Sequence, residues 1–211
     1  MLIVEDHELL ATSLAIALGD QGLDVETVAG PDPEAIVEAI RALAPVLVLL
    51  DLDLGPILGS GLDLIQPAIK AGGRVVIITG VGDRARLGAC IEAGAAGVMD
   101  KAAGFTELVG AIHRAVGGES LMTDEEREDL LQELAAQRQA QWERSAPFVG
   151  LTKQEQAVLA GLVAGESVHA IAIDWAVPPA MVRSQLQSVL VKLGVKSQLA
   201  AVALARRANW P

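Results

Sequence analysis

Tyrosine is absent, and two phenylalanines and three tryptophans are the only aromatic side chains among 211 residues. Binding of single-stranded nucleic acid by base stacking needs aromatic platforms, so that class of function is disfavoured. A single cysteine, Cys90, excludes an internal disulfide and any cysteine-built zinc site, and it suits a reducing cytosol. The longest uninterrupted apolar stretches, such as Pro45 to Leu50, are far too short to span a bilayer, so no membrane partner is expected. The N-terminus, Met1-Leu2-Ile3-Val4-Glu5-Asp6, turns acidic after four residues and lacks a basic segment and a long apolar core. No signal peptide is expected, and the expected location is the cytoplasm.

What the chain does have is apolar residues, 52% against 20% charged, which excludes a disordered or fibrous protein. Its length favours two domains over one. The net charge of −11 is unevenly spread: residues 1–120 carry −10, residues 121–150 carry −4 and residues 151–211 carry +3. An acidic body joined to a mildly basic tail is the distribution expected if only the tail meets a polyanion.

Apolar runs and amphipathic stretches alternate through the first 120 residues. Leu2–Val4, Leu23–Val28, Val46–Leu50, Val75–Ile78 and Gly97–Met99 read as strands, most of them without polar alternation. His7–Leu18, Pro33–Leu43, Leu62–Lys70, Arg84–Ala93 and Thr106–Val116 read as the helices between them. Five such βα units predict a parallel sheet covered on both faces, in an α/β, doubly wound, flavodoxin-like arrangement. Thr123 to Trp142 reads as a connecting helix with acids in its first turn and one narrow stripe, Leu130, Leu131 and Leu134. That stripe either pairs with a second copy or packs on its own domain. From Leu151 the spacing is helical throughout. Thr152 with Glu155 forms a capping box for a helix to Ala164, Ser167 caps Val168–Trp175, and helices follow over Ala180–Leu193 and from Ser197 to about Arg207. Four short helices with a tight turn between the middle two match an all-α helix-turn-helix module. The expected division is 1–120, a linker over 121–147, and 148–211.

The predicted strand ends carry Glu5-Asp6, Asp51, Thr79 and, just past the fifth, Lys101. In the proposed winding they converge at one end of the sheet, with Asp51 expected to be exposed at the centre. Packed carboxylates repel unless a cation compensates, and an oxygen-only set suits Mg2+. Asp51 could attack a phosphorus, with Lys101 and the Thr79 hydroxyl holding phosphoryl oxygens. Each residue alone has an ordinary reading: a strand-end Asp as a turn former, Thr as a pleat residue, Lys as a solvated side chain, Glu5-Asp6 as a helix start.

The ordered set, however, resembles a known family. Leu2-Ile3-Val4-Glu5-Asp6-His7, Leu49-Leu50-Asp51-Leu52-Asp53, Ile77-Ile78-Thr79-Gly80 and Gly97-Val98-Met99-Asp100-Lys101, at intervals of 45, 28 and 22 residues from Asp6 to Asp51, Thr79 and Lys101, resemble the receiver domain of bacterial two-component response regulators. Leu151-Thr152-Lys153-Gln154-Glu155, Val158-Leu159, Ile171-Ala172, Val182-Arg183 and Lys192-Leu193-Gly194-Val195 resemble the NarL/LuxR-type helix-turn-helix output domain. The resemblance implies Asp51 as phosphoacceptor, Mg2+ held by Glu5, Asp6, Asp51 and the main-chain carbonyl of Asp53, and phosphoryl binding by Thr79 and Lys101. It implies a sensor histidine kinase as donor, a receiver that is not a turnover enzyme, a homodimer, and double-stranded promoter DNA as target. Asp53 and Val81 would flank the path of hydrolytic water.

The chain departs from that pattern in places. Gly61 falls about two residues late, through Gly55-Pro56-Ile57-Leu58-Gly59-Ser60, and Val98 stands where an aromatic is usual. Pro178, Met181 and Gln185 replace the usual Ser, Thr and His, and Val168-His169 replaces a polar-basic pair. On the recognition helix the outward positions are expected to be Arg183, Ser184, Gln187 and Ser188, with Gln185 nearby and Lys192, Lys153 and Lys196 as phosphate contacts. Met181, Val182, Leu186, Val189, Leu190 and Leu193 are expected in the core, and His169 is read as a surface side chain. Two alternatives accompany this reading: a regulator that works without phosphorylation, and a haloacid-dehalogenase-like phosphatase with Asp51 as nucleophile and Asp53 as acid/base.

Overall fold

A computed structural model describes residues 1–28, 32–80 and 82–210, and the chain divides into two compact units, Met1–Ala135 and Ala136–Pro211. In the first, five parallel strands, β1 (Leu2–Val4), β2 (Glu26–Val28), β3 (Leu47–Asp51), β4 (Arg74–Thr79) and β5 (Gly97–Asp100), lie in the order β2-β1-β3-β4-β5. That is the flavodoxin-like winding. The helices are α1 (Glu8–Gly19), α2 (Pro33–Leu43), α3 (Gly55–Leu58), α4 (Leu62–Lys70), α5 (Arg84–Glu92), α6 (Phe105–Val116) and α7 (Asp124–Ser145).

The strands read as unbroken apolar runs because both faces of the sheet are covered. Leu2, Val4, Val48, Leu50, Val75 and Ile77 point to one face, against Ile36 and Ile40 of α2, Leu64 and Ile65 of α4, and Ile91 of α5. Ile3, Leu47, Leu49, Val76 and Ile78 point to the other, against Leu14 and Leu18 of α1 and Leu108 and Ile112 of α6. Each such aliphatic side chain, fully buried, contributes about 1.5–3 kcal/mol. This continuous apolar base holds the polar strand ends in place.

Helix boundaries follow local chemistry. Asp32 accepts from the Ala35 amide and Asp83 from the amides of Ala85 and Arg86, each capping a helix start. β2 is shorter than expected from Leu23–Val28. Only Glu26–Val28 pairs, at the sheet edge, where Glu26 and Thr27 are exposed and nothing requires a longer ladder. The helix α3 was not expected. It takes up the extra residues after Asp51 in a loop closed on itself: the Leu54 amide donates to the Gly59 carbonyl and the Gly61 amide to the Leu52 carbonyl. A Cβ on Gly61 would stand 2.0 Å from the carbonyl oxygen of Asp51, so only glycine lets the chain return this close to the strand end.

The stripe on α7 packs on its own unit. Leu130 and Leu134 are buried against the face that carries α5, and a Cβ on Gly88 of α5 would meet the Leu130 carbonyl oxygen at 2.3 Å. Arg84 to Glu133 at 2.6 Å, and Arg127 donating to the carbonyls of Ala95 and Ala96, fasten the same stretch. α7 runs without a break across the division of the chain and ends at Ser145.

The second unit is helical: α8 (Lys153–Val163), α9 (Val168–Asp174), α10 (Pro179–Leu193) and α11 (Gln198–Arg207), after a single 3-10 turn at Ala146–Phe148. Its core gathers Val158, Leu159, Leu162, Ile171, Val182, Val189 and Leu193, and Phe148 stacks on Trp210 with ring centres 5.4 Å apart. Thr152 and Glu155 form the expected capping box. Val182, Val189 and Leu193 are buried as expected, and Leu186 and Leu190 are partly buried. Met181 is not: it is 53% exposed, because α10 buries the face that carries Val182, Val189 and Leu193, and Met181 lies about 100° round the helix from Val182. Among the described residues no single helix is long and apolar enough to cross a membrane.

Gly88→Ala should force α7 off α5. We expect a loss of about 1–3 kcal/mol, read as a lower urea midpoint by far-UV circular dichroism. An unchanged midpoint would show that the close approach of Gly88 to Leu130 carries no load.

Candidate functional site

The strand order reverses between β1 and β3, and at such a switch point the loops leave the sheet to opposite sides and open a crevice at the carboxyl ends. Val4 pairs with Leu50, Asp51 with Ile78 and Thr79 with Asp100, so the polar residues that end these strands stand side by side. Glu5, Asp51 and Thr79 are all buried. Thr79 is further fixed where its carbonyl accepts from the Lys101 amide at 2.9 Å.

Lys101 holds the carboxylates together. Its ammonium donates to Asp51 Oδ2 at 2.6 Å and to Glu5 Oε1 at 2.7 Å. Asp51 Oδ1 accepts from the Asp53 amide at 3.2 Å. Asp51 is therefore not exposed at the centre of the pocket, as expected from sequence, but only 1% accessible, because the lysine lies over it. Burial pushes the Asp51 carboxyl up, to about 6. The Lys101 ammonium and the Asp53 amide pull it down, and the Glu5 carboxylate pushes it up. Burial pulls Lys101 down, but its bonds to Asp51 and Glu5 outweigh that and raise it. The sole cysteine, Cys90, is buried in the core under α5 and pushed up to about 11 by burial, so it is no nucleophile here.

The donors suit a hard divalent cation. Glu5, Asp6 and Asp51 each offer a carboxylate oxygen, all within 4.8 Å of one another, and the buried Oε2 of Glu5 has no hydrogen-bond partner. Three carboxylates facing one ammonium leave a surplus of negative charge that a cation would offset. Gly55, at φ +75°, passes so close to Asp6 that a Cβ would stand 3.3 Å from its Oδ2. Asp53 turns its carboxylate away from the pocket, to Arg86 at 2.6 Å. Arg86 also donates to the Leu52 carbonyl at 3.2 Å and the Ser60 hydroxyl at 3.5 Å, tying α5 to the closed loop. Val81 lies outside the described residues.

In the second unit, Arg183, Ser184, Gln187, Lys153 and Lys196 are all exposed. Lys192 is engaged differently: its ammonium bonds Glu155 Oε2 at 2.7 Å and the Gly150 carbonyl at 3.0 Å, so much of its charge is spent within the unit. That bond, with the Thr152 amide, holds Glu155 down at about 2. Gln185 reaches Gln154 at 3.5 Å.

Sequence reasoning passed over three side chains that the structure brings forward. His7 sits against Glu5 and Asp6, and its adjacency to them in sequence was the available signal. Arg86 clasps the loop, and nothing in its sequence setting marks it. Val191, 71% exposed, joins Met181 as an apolar side chain that α10 leaves uncovered.

A family model described as the response regulator receiver domain matches residues 1–113, and one described as bacterial regulatory proteins, luxR family, matches residues 149–205. The chain is 28% identical over 210 residues to the response regulator GacA of Pseudomonas viridiflava, across 98% of this chain and 95% of that one. It is 28% identical over 208 residues to the probable transcriptional regulatory protein NarL of Mycobacterium tuberculosis, across 98% and 93%. A solved LuxR-family two-component response regulator from Aurantimonas sp. SI85-9A1 matches with a TM-score of 0.51 and 26% identity, over 65% of this chain and 95% of that one.

Two measurements check the electrostatics. In metal-free buffer the Asp51 carboxyl should titrate near 6 by carbon NMR, and Lys101→Met should move that midpoint upward, since an attractive charge is removed; a downward move would contradict the geometry. Because Glu155 is held well below its unfolded value, its contribution to stability is present above about 4.5 and is lost as pH falls from about 4.5 toward 2. All three tryptophans, Trp142, Trp175 and Trp210, lie in the second unit. Fluorescence-detected urea unfolding should show that loss, and Lys192→Met should flatten it.

Proposed function

The chain belongs to the bacterial response regulators, a receiver joined to a luxR-family output domain that regulates transcription, and on that premise we propose that Asp51 is its phosphoacceptor. The observation that carries this reading is the Asp51 carboxylate at the end of β3, 2.6 Å from the Lys101 ammonium. The donor is a sensor histidine kinase. An Asp51 oxygen attacks the phosphorus of the phosphohistidine, the O–P bond forms as the P–N bond breaks, and the imidazole leaves with the electron pair. Glu5, Asp6, Asp51 and the Asp53 carbonyl would hold Mg2+, which when bound would offset charge on the phosphoryl oxygens.

The protein's own groups do the rest. Lys101 shifts from the bare carboxylate toward the phosphoryl oxygens, where its fixed positive charge is stabilising, and the Thr79 hydroxyl donates to another. Burial keeps bulk water from the acyl phosphate. With the Asp53 carboxylate spent on Arg86, the acid/base group that a phosphatase of the haloacid-dehalogenase type would use is occupied. That favours the regulator.

Moving Lys101 and Thr79 changes the carboxyl ends of β4 and β5, and any difference in stability between the two arrangements biases the receiver. Val98 supplies no aromatic ring to that change, so the signal passes through Thr79 and Lys101 themselves. In this reading residues 1–120 receive the signal, 121–147 connect, and 148–211 act on double-stranded promoter DNA in the cytoplasm as a homodimer. α10 enters the major groove, Arg183, Ser184 and Gln187 read base edges, and Lys153, Lys196 and Lys192 contact phosphates, the last at the cost of its bond to Glu155. With only +3 over residues 151–211, binding by one copy is weak and falls steeply with salt.

Acetyl phosphate with Mg2+ should label the wild-type chain and leave Asp51→Asn unlabelled by intact mass. Labelling of the variant at the wild-type level would refute the assignment.

A further inference from the structure

Beside the three carboxylates of the receiver pocket stands a donor of another kind. His7 Nδ1 lies 2.8 Å from Glu5 Oε1 and 2.8 Å from Asp6 Oδ1, and the main-chain amide of His7 also donates to Glu5 Oε1, at 3.0 Å. His7 occupies the N-cap of α1, a position where a short polar side chain normally bonds the first turn, yet its side chain makes no capping bond. Its ring is turned into the pocket, with 69% of the side chain still open to solvent. One ligand atom each from Glu5, Asp6, His7 and Asp51 fall within 4.8 Å of one another. Ligands on opposite sides of a small divalent ion lie about 4.2 Å apart, so the four donors need only small rotations to share one ion. The second, independent observation is Glu5, whose side chain is 1% accessible and whose Oε2 has no partner. Lys101 and His7 both take Oε1 of that carboxylate and leave its buried Oε2 unpaired.

We propose that His7 is a nitrogen ligand in this cation site, and that the receiver therefore takes first-row transition ions such as Co2+ or Mn2+ in preference to Mg2+. This rests on the reading of the pocket as a cation site given above. Mg2+ is bound almost entirely through oxygen and gains little from an imidazole. Affinity for an N,O site rises along the first row, so one nitrogen among carboxylates tilts the choice toward those ions. The same geometry explains what His7 does without an ion. Its N–H bridges two carboxylates, lending positive character where they would otherwise repel. The pocket is thus preorganised for a cation on the Asp6 side and for an ammonium on the Asp51 side.

The test is titration calorimetry of the full, tag-free chain with CoCl2 and, separately, MgCl2, together with the visible absorption of the Co2+-loaded protein. The wild type should bind Co2+ at least about tenfold tighter than Mg2+. His7→Gln should lower that ratio by about tenfold and shift the Co2+ absorption band as a nitrogen donor is lost. If His7→Gln leaves both the ratio and the band at their wild-type values while Asp6→Asn weakens both ions, the carboxylate site stands and the role of His7 is overturned. If the wild-type chain binds neither ion, the cation-site reading falls and the proposal falls with it.

Discussion

One ammonium group sets the terms for the receiver. Glu5 and Asp51 sit at neighbouring strand ends with almost no access to water, an arrangement that would drive one of them to take up a proton if nothing opposed it. Lys101 reaches from the end of the last strand to touch both, at 2.7 and 2.6 Å. Two carboxylates against one lysine still leave the pocket short of positive charge, and the deficit shows in Asp51, which burial raises to about 6 despite the lysine beside it. A site with unmet demand for positive charge is poised to respond when a cation arrives or when the acid is esterified. The same imbalance that costs stability makes the site responsive.

The scaffold absorbs that cost. Behind the strand ends lie five strands whose alternate side chains are sealed by α1 and α6 on one face and by α2, α4, α5 and α7 on the other. Because the backbone there is held by close packing, the polar residues cannot relax away from one another. The second unit contains a smaller version of the device, in which Glu155 is buried but fully engaged by Lys192 and the Thr152 amide. Its acid is pulled down to about 2, where Asp51 is pushed up. Similar chemistry thus gives a closed structural fastening in one unit and a pocket with unbalanced charge in the other. What separates them is whether donors match acceptors.

Much of this was legible in the residues. Strand-end positions of Glu5, Asp6, Asp51, Thr79 and Lys101 followed from apolar runs that stop on a polar residue, and the helices Pro33–Leu43 and Leu62–Lys70 appear with the expected ends because caps and turns mark them. The burial of Asp51 was not legible, because it depends on where a lysine 50 residues away lays its side chain. Nor was α3, a turn with no hydrophobic periodicity, held by bonds within the loop. β2 was overextended because Leu23 and Val25 are apolar yet pack outside the ladder. Met181 looked like core by its chemistry, but it falls outside the face of α10 that Val182, Val189 and Leu193 bury. For α7, the leucine stripe left two possibilities open, and the contact with Gly88 shows where Leu130 and Leu134 are spent.

The segment between Asp53 and Gly61 has a consequence for how such a protein can diversify. Its ends are pinned to each other by the Asp53–Ser60 bridge, the bond from Gly61 to Leu52, and the Arg86 clasp, and the residues between them close among themselves. Lengthening a segment of this kind costs little chain entropy, since each doubling adds only about 0.6 kcal/mol. Insertions there can remodel the rim of the pocket while the Asp51 carboxylate a few residues away keeps its place. The rim and the buried strand end are thereby free to evolve at different speeds within one short stretch of chain.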